Sequence, residues 1–173
     1  MIGELLPTAK TIAVLLNPES PEFEPQVKDI EDAAQAVGQQ LQLFSASNEL
    51  AVESAFAAMV DQRVDAVLIS ADPFISGMRS RLIALAARHR VPALYEFREM
   101  AVSGGLASYG PNRVENYWQV GAYTGRILKG DRAGDLPVIQ STTLELEINL
   151  KTAKSLGLNI PPMLLAGADE VIE

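Results

Sequence analysis

Four apolar runs recur along the first hundred residues: "TIAVLLN" (11–17), "LQLFSAS" (41–47), "VDAVLIS" (64–70) and "VPALYEF" (91–97). The first is apolar at successive positions, as a strand is when both its faces are covered. Between the runs lie stretches of helical period. Val27, Ile30, Ala34 and Val37 share one face, and Gly38 closes that helix. Ser47 or Asn48 can cap the next, with Val52, Phe56, Met59 and Val60 on its apolar face. Leu82, Leu85, Ala86 and His89 mark the third. Strand and helix thus alternate with a period of roughly 25–30 residues. Parallel strands need long crossovers, and helical crossovers pack back on a sheet with one hand. The expectation is an α/β fold, a doubly wound parallel sheet whose first four strands lie in the order 2-1-3-4. Pro92 is tolerable near the start of its strand.

The pattern changes after residue 98. "SGGLASYGPN" is a glycine-rich loop around a short strand, Leu106–Tyr109. Asn112 and Glu115 form a capping box for a helix reaching about Lys129, closed by Gly130. "DRAGDLPVIQST" (131–142) reads as a polar connector, and "LELEINL" (144–150) alternates strictly. Alternation predicts a half-buried strand outside the sheet's centre, with Leu144, Leu146 and Ile148 inward and Glu145, Glu147 and Asn149 outward. A short helix, Lys151–Leu156, ends at Gly157, and Pro161-Pro162 opens a last turn.

Chemistry narrows by elimination. The net charge is −8 and no Lys/Arg cluster stands out, which disfavours nucleic acid. With no Cys, thiolate metal sites, disulfides and Cys nucleophiles are excluded. The one His, His89, sits in "ARHR" and reads as a cationic helix end. Neither a metal site nor a cofactor is expected. Dinucleotide, P-loop, serine-elbow and zinc-protease signatures do not occur. No apolar run approaches the length of a membrane span, so no membrane insertion is expected. "MIGELLPTAK" lacks the features of an export signal, so the chain as written is expected in the cytoplasm.

What remains is the strand ends. In open α/β sheets ligands bind outside the carboxyl ends of strands. "SADPF" places Asp72 and Phe74 there. Asp72 before Pro73 is also ordinary helix-start chemistry. The two readings are compatible: a carboxylate can cap and accept a ligand ammonium, and a ring can stack on an apolar body. Asn17 follows the first run, Tyr95 and Glu96 the fourth, and Ser108 and Tyr109 lie in the short strand. Tyr95 and Tyr109 also fit as core residues. The expected set is Asn17, Asp72, Phe74, Tyr95, Glu96, Ser108 and Tyr109 on one concave surface, binding a small molecule. A doubly wound enzyme domain using Asp72 as general base is the rival reading.

The tail "INLKTAKSLGLNIPPMLLAGADEVIE", with "DPF", "LAARHRVPALYEFREM", "GGLASYGPN" and "GRILKGDRAGDLP", resembles the ABC-transporter substrate-binding proteins related to the tryptophan/tyrosine-type binding proteins. The resemblance runs along nearly the whole chain. It implies one lobe of a type I periplasmic-binding-protein-like fold, from a two-lobed clamp about twice as long that carries an export signal. On that pattern residues 1–98 are the second lobe. Residues 99–143 are a crossover segment with a helix that packs on the first lobe, absent here. Residues 144–173 return and finish the structure. The resemblance further implies a non-enzymatic solute-binding component, truncated. Its ligand is an amino acid or small organic molecule, aromatics included. Its partner is an ABC permease and its location periplasmic. A cytoplasmic sensing domain derived from such a lobe is a further alternative. The helix with Val114, Tyr117, Trp118 and Val120, lacking its partner lobe, is expected to drive formation of a homodimer.

Overall fold

The computed structural model describes residues 2–139 and 143–173. Residues 140–142, the end of the expected polar connector, lie outside the described residues. The strands are β1 (Thr11–Leu16), β2 (Gln40–Ser45), β3 (Ala66–Ile69), β4 (Ala93–Tyr95), β5 (Ala107–Pro111), β6 (Leu144–Asn149) and β7 (Glu170–Ile172). The helices are α1 (Ile2–Leu5), α2 (Phe23–Val37), α3 (Glu49–Asp61), α4 (Pro73–Gly77), α5 (Arg79–His89), α6 (Arg98–Val102), α7 (Arg113–Leu128), α8 (Leu150–Leu156) and α9 (Pro162–Ala166). All seven strands form one sheet of order β2-β1-β3-β4-β5-β6-β7. The first four pair in parallel in the order 2-1-3-4 read from the alternation. β4 and β5 are also parallel, β5 and β6 antiparallel, and β6 and β7 parallel.

Two-sided burial explains the apolar runs. On one face Ala13, Leu15, Val67, Ile69 and Ala93 meet Val52, Phe56 and Met59 of α3 and Leu82 and Leu85 of α5. On the other, Ile12, Ala66, Leu94, Ala107 and Ile148 meet Leu5 and Leu6 near α1, Ala153 of α8 and Ile160. Asn48, Gly38 and Gly157 bound helices as expected, whereas the Asn149 cap was not read from the sequence. Asn48 Oδ1 accepts the Ala51 amide of α3, and Asn149 Oδ1 accepts the Thr152 amide of α8. Gly38 and Gly157 close α2 and α8 in the left-handed conformation that suits a residue without Cβ.

Three features differ from the sequence expectations. Residues 99–111 do not leave the sheet: α6 packs beside β5, and β5 is an internal strand between β4 and β6. The departure begins at Asn112. Second, β6 is an internal strand as well. Its outward set is turned inward: Glu147 and Asn149 are buried, because β6 lies between β5 and β7 with α6 against it. Asn149 Nδ2 donates to Ala101 O of α6. Third, only half of the capping box forms. Asn112 Oδ1 accepts the Glu115 amide, while the Asn112 amide donates to Thr143 O at 3.4 Å. That bond closes the ladder where the chain leaves and re-enters the sheet.

α7 carries no buried residue. Trp118 is 72% exposed, and Val114, Tyr117 and Leu128 are exposed beside it. Its first turn is tied down by Arg113, whose guanidinium lies 4.6 Å from the centre of the Phe97 ring.

Among the glycines Gly110 has the least room: a Cβ there would lie 2.1 Å from Glu96 O. Gly110→Ala is expected to destabilise the protein by about 1–3 kcal/mol through this overlap. Gly134→Ala, with nothing within 4 Å of its Cβ, should stay within about 0.5 kcal/mol of the parent. Urea denaturation of the two variants checks the contrast.

Candidate functional site at the strand ends

The carboxyl ends of β1, β3 and β4 bring Asn17, Asp72 and Glu96 to one edge of the sheet. Asp72 caps α4. Its Oδ1 accepts the amides of Phe74 (2.9 Å) and Ile75 (3.2 Å). The same oxygen accepts Asn17 Nδ2 at 3.1 Å. Asn17 is itself fixed, its Oδ1 accepting the Glu19 amide. Asp72 is 6% exposed, and its second oxygen accepts no bond among the described residues. Phe74 is half-buried and packs on the α3/α5 core. Cap and strand-end position thus coexist at one residue.

The two tyrosines do not join this surface. Tyr95 is 2% exposed and belongs to the core on the α3/α5 side. Burial pushes its phenol above the usual range. Tyr109 is 42% exposed but faces the other way. The register shows why: Tyr95 stands beside Ser108, and Ser108 beside Glu147, whereas Tyr109 stands beside Leu146. Consecutive residues on a strand point to opposite faces, so Ser108 and Tyr109 cannot serve one surface. Ser108 is fully buried, and its Oγ donates to Glu147 Oε2 at 2.6 Å.

Beyond Glu96 the edge opens into a cavity of about 310 Å³. Arg98 and Glu99 of α6, Gly110 to Val114, Glu145 and Glu147 of β6, Asp169 and Glu170 line it. Arg98 holds Glu170 through two bonds, Nε to Oε2 at 2.6 Å and Nη2 to Oε1 at 2.9 Å. Asn112 Nδ2 donates to Glu145 Oε1 at 2.6 Å, so the residue that starts α7 also fixes the cavity's acidic wall. The sequence reading missed Arg98, Arg113, Glu145 and Glu147. The signal for the last two was the polar half of "LELEINL", which reads as solvent-facing although α6 packs against β6 and β7 extends the sheet beyond it. No cluster of His, Cys, Asp and Glu among the described residues is arranged to hold a metal ion.

Two carboxyls on this edge sit above the ordinary glutamate range. Burial raises Glu96, against the opposing pull of the Arg113 charge. Burial also raises Glu147; Glu145 and Glu170 add to the rise, and the Ser108 bond and Arg98 oppose it. A carboxyl with a raised folded-state pKa contributes its full stability below the unfolded value, about 4.3. It loses that contribution as pH climbs through the folded value. Glu147→Gln keeps an acceptor for Ser108 and removes the titration. Its stability relative to the parent should therefore rise between pH 4 and pH 7, read as urea midpoints; parallel profiles would contradict the assignment.

Comparison with known proteins bears on the family and the fold. A search of curated proteins finds no match. Among solved structures, the ABC domain in complex with L-Trp from Streptococcus pneumonia is 27% identical, with a TM-score of 0.89 over 99% of this chain and 59% of that one. A conserved domain protein from Vibrio cholerae is 26% identical, with a TM-score of 0.90 over 98% of this chain and 57% of that one. The ligand-free, open substrate-binding protein with adhesive properties from Clostridium difficile shares the fold at 21% identity and a TM-score of 0.73, over 99% of this chain and 57% of that one. The chain therefore spans under two thirds of the length of these relatives. No helix among the described residues is long and apolar enough to cross a membrane. The profile of the ABC transporter substrate binding protein family matches residues 1–172, and the chain belongs to that family.

Proposed function

We propose that this chain is the second, ligand-holding lobe of a solute-binding protein serving an ABC importer. Its ligand is an amino acid or a related small organic molecule, aromatic ones included. The ligand sits between this lobe and a first lobe, and closure of the two delivers it to a membrane permease outside the cytoplasm. The observation that carries the reading is the convergence of Asn17, Asp72 and Glu96 at the ends of three neighbouring parallel strands, where such sheets hold ligands. Asp72 supplies its second oxygen to a ligand ammonium, Asn17 orients it, and Phe74 offers apolar surface. Tyr95 and Ser108 support that edge from within. The L-Trp bound by the Streptococcus relative supports the amino-acid class. Three donors on one oxygen hold the Asp72 carboxylate in a fixed orientation, which supports its use as a binding group.

On this reading the lobe includes β5. The segment after Asn112 carries α7 onto the first lobe, and residues 144–173 return from it. The exposed face of α7 is covered there. Where the chain stands alone, two copies pair through that face about a two-fold axis. Sedimentation velocity over a dilution series checks the pairing: a monomer at every concentration sinks it.

Calorimetric titration of L-tryptophan and a panel of other amino acids tests the binding. It should be run on this chain and on the chain joined to a first lobe. Asp72→Asn retains an N-cap acceptor, so stability should barely change. Loss of the charge should weaken binding at least about tenfold. Asp72→Ala should in addition lose about 1 kcal/mol of stability with the cap. Unchanged affinity in Asp72→Asn would remove Asp72 from the site.

A further inference from the structure

An amino acid carries a carboxylate as well as an ammonium. Asp72 and Glu96 suit the ammonium; the carboxylate calls for a cation. A guanidinium serves best, because its N–H fork matches the two carboxylate oxygens. Two guanidiniums line the cavity of about 310 Å³ beyond Glu96, those of Arg98 and Arg113. Arg98 is already engaged: Glu170 accepts its Nε at 2.6 Å and its Nη2 at 2.9 Å. Arg113 is not. Its Nη2 donates to Tyr117 OH at 3.1 Å, and Glu99 Oε1 lies 3.8 Å from its Nη1, too far for a hydrogen bond. A guanidinium has several N–H donors, and among the described residues only the bond to Tyr117 uses one of Arg113's.

Arg113 is also held in place without a carboxylate. Its guanidinium lies 4.6 Å from the centre of the Phe97 ring, so less ordering remains to be done when an anion arrives. Phe97 follows Glu96 and borders the same small space as Ser70 and Ala71, the two residues before Asp72. Phe97 therefore stands between the surroundings of Asp72 and Arg113. The Arg113 charge reaches Glu96 as well, where it opposes the rise that burial imposes on that carboxyl. The remaining charges on the cavity wall are acidic: Glu99, Glu145, Glu147 and Asp169. Such a wall repels a plain anion. A zwitterion meets both signs, with its ammonium toward the carboxylates and its carboxylate on Arg113. We propose that Arg113 receives the carboxylate of the ligand, so that the site selects zwitterions over amines and over plain acids. This assignment rests on the amino-acid reading given under Proposed function.

Three probes with one ring system test it: L-tryptophan carries both charges, tryptamine only the ammonium and indole-3-propionate only the carboxylate. Each is titrated calorimetrically into the chain, alone and joined to a first lobe. Where the panel of amino acids favours another ligand, that amino acid and its decarboxylated and deaminated counterparts replace the three. The parent should prefer the amino acid to either counterpart by at least about tenfold. Arg113→Gln should weaken the amino acid by at least about tenfold and leave the amine unchanged. Arg113→Lys keeps the charge without the fork and should fall between. Equal weakening of amino acid and amine in Arg113→Gln would mark a merely structural role and overturn the proposal. So would a parent that binds the amine, or the plain acid, as tightly as the amino acid. In each of those cases the amino acid still binds and only the Arg113 assignment falls. A parent that binds no amino acid in either form overturns the amino-acid reading, and this assignment with it.

Discussion

The antiparallel pairing of β5 with β6 is the constraint on which the rest of the structure depends. Up to β5 every strand runs the same way, and each return is made by a helix across a face. At β5 the chain turns out of the sheet and comes back beside the strand it left, with Pro111 opposite Leu144. That reversal places the amino end of β6 at the carboxyl ends of the parallel strands. It therefore delivers Glu145 and Glu147 to the edge where Asn17, Asp72 and Glu96 already lie. A parallel β6 would have put those carboxylates at the opposite end. The acidic wall of the cavity is a consequence of strand direction as much as of residue type.

The same edge shows how one residue serves packing and chemistry together. Asp72 satisfies two orphan amides at the start of α4 and fixes Asn17. These bonds use a single oxygen, so the structural duty leaves the other oxygen unbonded. Ser108 and Glu147 make the complementary choice. Their bond lies inside the sheet, where burial raises the carboxyl's pKa and the Ser108 hydroxyl opposes that rise. Polar groups on this edge therefore divide into those that hold the sheet together and those left to meet something else.

Much of the fold was legible because apolar periodicity reports two-sided burial directly. The runs at 11–17 and 64–70 could only be central strands, and the helix faces between them followed. The 2-1-3-4 order came from the doubly wound arrangement that such an alternation adopts. Legibility failed where burial is polar. "LELEINL" alternates as an edge strand does, yet β7 lies beyond it, and Glu147 and Asn149 are buried through bonds to Ser108 and Ala101. Those partners lie 39 and 48 residues away in sequence, beyond any local pattern. At the site, Asp72 and Asn17 could be placed because strand ends are visible in sequence. Tyr95 and Tyr109 could not be oriented, because facing depends on register and one residue of offset reverses it.

α7 has a mechanical consequence. The helix is 16 residues long, about 24 Å at 1.5 Å per residue. The helix is fastened to the sheet at its first turn, through Asn112 and the stacking of Arg113 on Phe97, while Tyr123 further along donates its hydroxyl to Pro137 O in the segment that follows. It is therefore a lever with its fulcrum at the sheet's seam. A turn of about 10° at Asn112 sweeps Leu128 through about 4 Å on that arm. Because Asn112 also grips Glu145, the fulcrum is built into the cavity wall. Whatever fills the cavity and whatever moves the helix act on the same side chain.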